Sequence, residues 1–136
     1  QALIPQLIEE TLRFSSPVQI LFRDALADCE VSGVSIPKGS RILVLVGSAN
    51  RDESVFSNPD EFDLYRSKAE LGKILSFGAG VHFCLGAQLA RFESTIALQA
   101  VMKKFRHLEL LDKDYAWINS YFARGPVSLP VRFELS

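Results

Sequence analysis

Ten residues constrain this chain most: Phe77-Gly78-Ala79-Gly80-Val81-His82-Phe83-Cys84-Leu85-Gly86, set directly before its longest run of helical periodicity. Two glycines two apart let a backbone turn tightly and pass close to a ligand. The run that follows reads as a helix from about Leu85 to Phe105, with Leu85, Leu89, Phe92 and Ile96 in one stripe and Leu98, Val101 and Phe105 in another. Apolar residues on more than one face predict a helix buried among partners. Cys84 then stands where loop becomes helix, near unpaired N–H groups and the positive end of the dipole. Both favour the thiolate, the form that binds metals or attacks electrophiles.

On the residues alone, several readings of Cys84 stand side by side. It could be a buried structural thiol, since free cysteine is among the most buried residue types. A phosphate loop is weak, because Phe83 occupies the position of the third dinucleotide-type glycine and no Gly-Lys-Ser/Thr follows. Zinc is weaker, with only Cys29, Cys84, His82 and His107 available and no C-x-x-C pair. Activation of a nucleophilic Cys84 by His82 is conceivable, although residues two apart need not face each other.

The rest of the chain gives this loop a setting. Pro5 to Phe14 reads as a helix, with proline in the first turn and Ser15-Ser16-Pro17 ending it. Val18, Ile20 and Phe22 alternate. Val31, Val34 and Ile36 surround Ser32-Gly33, and Pro37-Lys38-Gly39 turns into Arg41–Val46, together predicting a small sheet of short strands. Ala49 to Ser76 is polar and rich in turn signals. Leu108–Leu111, Ala116–Ile118 and Val131–Leu135 read as short strands.

Composition narrows the class. With 136 residues the chain can bury one core, and a formal net charge of −1 gives no pull toward nucleic acid or anionic membrane. Apolar runs such as Ile42–Val46 are too short to span a bilayer. No signal peptide is visible and there is no initiator Met, so the reading expects a cytoplasmic chain whose beginning is missing. Cys29 and Cys84 are expected to be free thiols, Cys29 as a small structural residue beside a turn.

The string FGAGVHFCLG resembles the haem-binding loop of the cytochrome P-450 family, Phe-Gly-x-Gly-x-His/Arg-x-Cys-x-Gly, of the soluble bacterial type. Phe77, Gly78, Gly80, His82, Cys84 and Gly86 match all six constrained positions. The resemblance implies haem b (iron protoporphyrin IX) with Cys84 as its axial ligand, Phe77 shielding the sulfur, Gly78 and Gly80 letting the loop lie flat on the porphyrin, and Gly86 letting the following helix approach. Arg23 and His82 would hold haem propionates. It implies a fold that is mainly α with small β-sheets, the C-terminal portion of the family's fold: a Glu-x-x-Arg helix, short strands, a meander, the cysteine loop, a long proximal helix and a C-terminal β-hairpin. Residues 1–136 would form the haem-ligating part of a single domain whose upstream part is absent.

Other stretches are similar to the family in the same order. Glu10-x-x-Arg13 matches its buried ion pair, although alone it reads equally as a surface pair of small energy. Where many members carry Pro-x-Arg-Phe, this chain has Pro59-Asp60-Glu61-Phe62, so Glu61 replaces the arginine. Phe62-Asp63-Leu64-Tyr65-Arg66 fits a bacterial form that assigns the role to Arg66. By resemblance, Val18, Gln19, Ile20, Phe122 and Ala123 are candidate substrate contacts, and Arg91 is a candidate for docking a ferredoxin.

The function implied is insertion of one atom of O2 into an apolar small molecule, with electrons arriving through a ferredoxin. The family's acid–alcohol pair lies outside these residues, so no catalytic residue is expected within them, and the fragment alone is expected to be inactive. A haem-binding or degenerate module of this kind without oxygenase activity is the alternative.

Overall fold

The computed structural model describes residues 2–136. Helix α1 spans Ile4–Phe14, with proline in its first turn. It ends where Ser15, ahead of Ser16-Pro17, leaves helical geometry at φ −136° and its N–H still caps the Thr11 carbonyl. Ile4 and Ile8, four apart on one face, are buried, each contributing about 1.5–3 kcal/mol. The same helix buries Glu10 and Arg13 completely.

The predicted small sheet is two separate antiparallel pairs. Strand β1 (Ile20–Asp24) pairs with β4 (Arg41–Leu45), and β2 (Cys29–Val31) pairs with β3 (Val34–Ile36). Ser32 and Gly33 both take positive φ, 51° and 81°, the two-residue turn whose twist suits a hairpin. Gly39 at φ +84° turns the chain into β4. There the expected strand stops one residue early, because Val46–Ala49 winds into the single turn α2.

The polar stretch that follows is irregular apart from α3 (Lys68–Leu71), capped by the Ser67 hydroxyl on the Glu70 N–H. It is nonetheless anchored: Phe56 is buried at 1% exposure, and the Arg13 guanidinium stands 5.5 Å from its ring centre. Helix α4 runs Ala87–Lys104 and packs on α1. The chain then passes directly into β5 (Phe105–Leu110), which pairs antiparallel with β6 (Val131–Leu135). His107, at φ +49°, lies in the irregularity of that ladder between Arg106 and Glu109. The expected strand at Ala116–Ile118 reduces to one bridge between Trp117 and Pro126.

The largest departure from the sequence concerns α4. Its apolar faces predict burial among partners, yet only Ala87 is buried, while Leu89, Phe92, Ile96 and Met102 are exposed. The core lies instead around α1, α2 and the irregular segment. No helix of the described residues is long and apolar enough to cross a membrane.

Candidate functional site

The cysteine loop is shaped by its two glycines. Gly78 and Gly80 take φ +73° and +63°, left-handed values that a side chain disfavours. The loop closes where the Cys84 N–H donates to the Phe77 carbonyl at 2.8 Å. Phe77 and Phe83 meet edge to face, with ring centres 6.5 Å apart. Gly80–His82 form one 3-10 turn. Helix α4 starts three residues after Cys84, with Gly86 at its N-cap. A Cβ added to Gly86 would stand 3.8 Å from Cys84 Sγ, so the sulfur lies close to the start of the helix, where a negative charge is favoured.

An open cavity of about 360 Å³ faces this loop. Leu12, Val18, Leu21 and Phe77 give it apolar walls, and Arg23, Ser76, His82 and Cys84 contribute polar groups. Arg23 reaches it from β1, and its Nη1 donates only to the neighbouring Phe22 carbonyl. Cys84 and Cys29 are both free and exposed. Exposed Cys29 lies in β2, not in a core. Among the described residues no group of three or more His, Cys, Asp or Glu side chains could hold a metal ion.

The segments singled out for substrate contact are joined. Val18 bridges Ala123, and the Gln19 N–H donates to the Phe122 carbonyl at 2.9 Å. Only Val18 of these five residues lines the cysteine cavity. Gln19, Ile20 and Ala123 line a second cavity of about 400 Å³ with Trp117 and Arg124.

Glu10, Arg13 and Arg66 form one buried cluster. Glu10 Oε1 accepts from Arg13 Nη2 at 2.8 Å and from the Asp63 N–H at 2.9 Å; Oε2 accepts from Arg13 Nε at 2.8 Å and Arg66 Nε at 3.0 Å. Arg13 uses its remaining protons on the carbonyls of Asn50, Pro59 and Glu61, and Arg66 reaches those of Ser57, Asn58 and Glu61. Burial alone would raise the Glu10 pKa, but the hydrogen bonds from Arg13, Asp63 and Arg66 outweigh it and lower the value. Glu61, at the position where an arginine is expected, contributes its backbone carbonyl, while Arg66 supplies the second cation.

Arg91 is paired within the chain: Nε and Nη2 donate to both carboxylate oxygens of Glu9, and the guanidinium lies 4.6 Å from the Phe77 ring centre. A second polar cluster joins Ser16, Asn50 and Ser76, none of which its sequence context singles out. Buried Asn and Ser in irregular segments leave no periodic trace.

This arrangement has close relatives. The sequence profile of cytochrome P-450 matches residues 2–127. Cytochrome P-450-terp of a Pseudomonas species is 44% identical over 132 residues, 97% of this chain and 30% of that protein. The biotin biosynthesis cytochrome P-450 of Bacillus subtilis is 42% identical over 132 residues, again 97% of this chain and 33% of that protein. A solved cytochrome P-450 from Chondromyces apiculatus superposes with a TM-score of 0.93 at 38% identity, covering 99% of this chain and 34% of that one. The chain thus spans about a third of the length of the relatives it matches. By profile, identity and fold, it belongs to the cytochrome P-450 family.

Proposed function

We propose that this chain is the haem-ligating part of a haem-thiolate monooxygenase, with Cys84 as the axial ligand of haem b. One observation carries the reading: a single open cavity gathers the Cys84 thiol, apolar walls and two basic side chains. That donor set fits the group, offering a sulfur for the iron, Leu12, Val18, Leu21 and Phe77 for the macrocycle, and Arg23 and His82 for its propionates. When bound, thiolate-ligated haem supplies O–O cleavage chemistry. This chain's residues hold and orient it. The start of α4 favours a negative sulfur, and the Cys84 N–H is fixed on the Phe77 carbonyl.

The reaction is insertion of one atom of O2 into an apolar small molecule, with electrons delivered by a ferredoxin-type donor. Val18, bridged to Ala123 beside Phe122, is the substrate contact favoured by the cavity. Residues 1–136 are one part of a single domain. Val81, Leu85, Leu89, Phe92 and Ile96 form an exposed apolar run that needs a cover. The relatives, of which this chain covers 30–34%, are long enough to provide one. Two free thiols suit a reducing compartment, here the cytoplasm.

The test is the reduced, CO-bound absorption spectrum of the full-length protein and its Cys84→Ala variant. The thiolate-type band is expected in the first and absent from the second. A band that survives the substitution rules out Cys84 as ligand. Residues 1–136 alone are expected to hold haem weakly, since they form one wall; a stable stoichiometric complex would overturn that part.

A further inference from the structure

Helix α1 ends with carbonyls that have no partner inside the helix, and other segments satisfy them. The Phe14 carbonyl accepts Arg51 Nη2 at 3.0 Å. The Leu12 carbonyl accepts two hydroxyls, Ser16 Oγ at 2.8 Å and Ser76 Oγ at 2.6 Å. The two hydroxyls also lie 3.0 Å apart, and either can donate to the other; an amide nitrogen that meets both can only donate, so each serine must receive it on a lone pair. Asn50 meets them there: its Nδ2 donates to Ser16 Oγ and to Ser76 Oγ, each at 2.8 Å. Its Oδ1 accepts the Leu75 N–H at 2.7 Å, and its backbone carbonyl accepts Arg13 Nη1 at 3.0 Å. Asn50 is 0% exposed. On one side it is held by the arginine cluster, and on the other it holds the two residues that precede Phe77.

We propose that Asn50 is a positioning residue for the haem thiolate, coupling the buried Glu10–Arg13–Arg66 cluster to the incoming arm of the cysteine loop. This rests on Cys84 being the ligand. Leu75 and Ser76 are fixed by Asn50, and the next residue, Phe77, offers the carbonyl that takes the Cys84 N–H at 2.8 Å. A shift of Ser76 therefore moves the partner of the Cys84 backbone. The direction of the donors makes the residue type specific. Aspartate has the same shape but would turn an acceptor toward two serine lone pairs, so that the hydroxyl protons would have to leave the acceptors they now serve. Alanine would leave the Leu75 N–H and both serine oxygens short of a partner.

The experiment uses the full-length haem protein as wild type, Asn50→Ala, Asn50→Asp and Ser76→Ala. Ile4→Ala serves as a control for lost stability, because buried Ile4 takes part in none of these bonds. The readouts are the share of the reduced CO complex in the thiolate-type band, amide hydrogen exchange across Leu75–Cys84, and the thermal midpoint. Both Asn50 variants should lose the thiolate-type band in favour of the neutral-thiol type. Their Leu75 and Cys84 amides should exchange about tenfold faster. Ser76→Ala should fall between them and wild type, and Ile4→Ala should lower the midpoint while leaving band and local exchange unchanged. If Asn50→Ala does not fold, Asn50→Asp and Ser76→Ala decide. Variants that match Ile4→Ala in band and exchange at equal midpoint overturn the role of Asn50 alone. A Cys84→Ala protein that keeps the band overturns the ligand assignment instead, and this role with it.

Discussion

Arg91 on α4 holds Glu9 on α1 by two parallel hydrogen bonds, Nε to Oε1 at 2.5 Å and Nη2 to Oε2 at 3.0 Å. The residues are 82 positions apart, so the pair staples the first helix to the one that follows the cysteine. Its side chains are 27% and 23% exposed, which places it between a screened surface pair and a buried one. The Glu9 hydrogen bonds raise the Arg91 pKa, burial opposes this, and the Glu9 charge adds to the rise.

Arg91→Ala should therefore lower stability by about 1–2 kcal/mol. Arg91→Lys should recover little, since an ammonium cannot make the two parallel bonds. A denaturant-melt double-mutant cycle with Glu9→Gln checks this: the coupling should account for most of the single-variant loss. Additive losses would mean that the pair contributes nothing beyond packing on Phe77.

Removing one member of the central cluster should do far more harm. Glu10 and Arg13 are 0% exposed and Arg66 5%, and deleting one partner of a buried charge pair typically costs about 3–5 kcal/mol. Arg66→Ala in the full-length protein should leave Glu10 Oε2 with Arg13 alone and strand the carbonyl of Ser57. Glu61→Arg should not rescue it, because Glu61 serves through its backbone. The measurement is the yield of folded, haem-loaded protein. Normal loading of Arg66→Ala would contradict the account.

How much of this the sequence disclosed depends on whether the signal is local. Glu10 and Arg13 lie three apart on a helix, and the glycines and cysteine lie within ten residues, so spacing alone brings them to notice. The end of α1 at Ser15 follows from Pro17. The partners of Asn50 come from α1 and from Leu75–Ser76, and nothing in Ser16 or Ser76 separates them from ordinary loop serines. Arg91 carries the same silence, since its partner is on another helix. The apolar faces of α4 predict burial, and the described residues do not provide it: only Ala87 is buried. Ala116–Ile118 has strand-like composition and lacks a strand to pair with beyond Pro126.

Acid should loosen the irregular segment by way of Glu70. Hydrogen bonds from the Ser57 N–H and hydroxyl and the Ser67 hydroxyl, with Arg66 nearby, lower its pKa from the ordinary 4.5 to about 2. A carboxylate with a depressed folded pKa gives its full stabilisation above the unfolded value, and this is lost as the pH falls through the folded one. The Glu70 contribution should therefore be complete above pH 4.5 and fade toward pH 2. Glu10, also lowered, acts in the same direction. Unfolding midpoints measured over a pH series should show wild type and Glu70→Gln converging as the pH falls through this window. A constant gap would remove Glu70 from the acid response.

The two loop glycines should respond differently to alanine. Both need a left-handed backbone, at φ +73° for Gly78 and +63° for Gly80, and an alanine held there costs about 1–2 kcal/mol. At Gly80 that is the whole local penalty, because a Cβ would meet nothing within 4 Å. At Gly78 the Cβ would also come into contact with the His82 carbonyl oxygen, at 3.4 Å, in the turn that leads to Cys84. Gly78→Ala should therefore shift the thiolate-type band of the reduced CO complex more than Gly80→Ala does, at a similar loss of thermal midpoint. An equal or smaller band shift in Gly78→Ala than in Gly80→Ala would remove the His82 contact from the account.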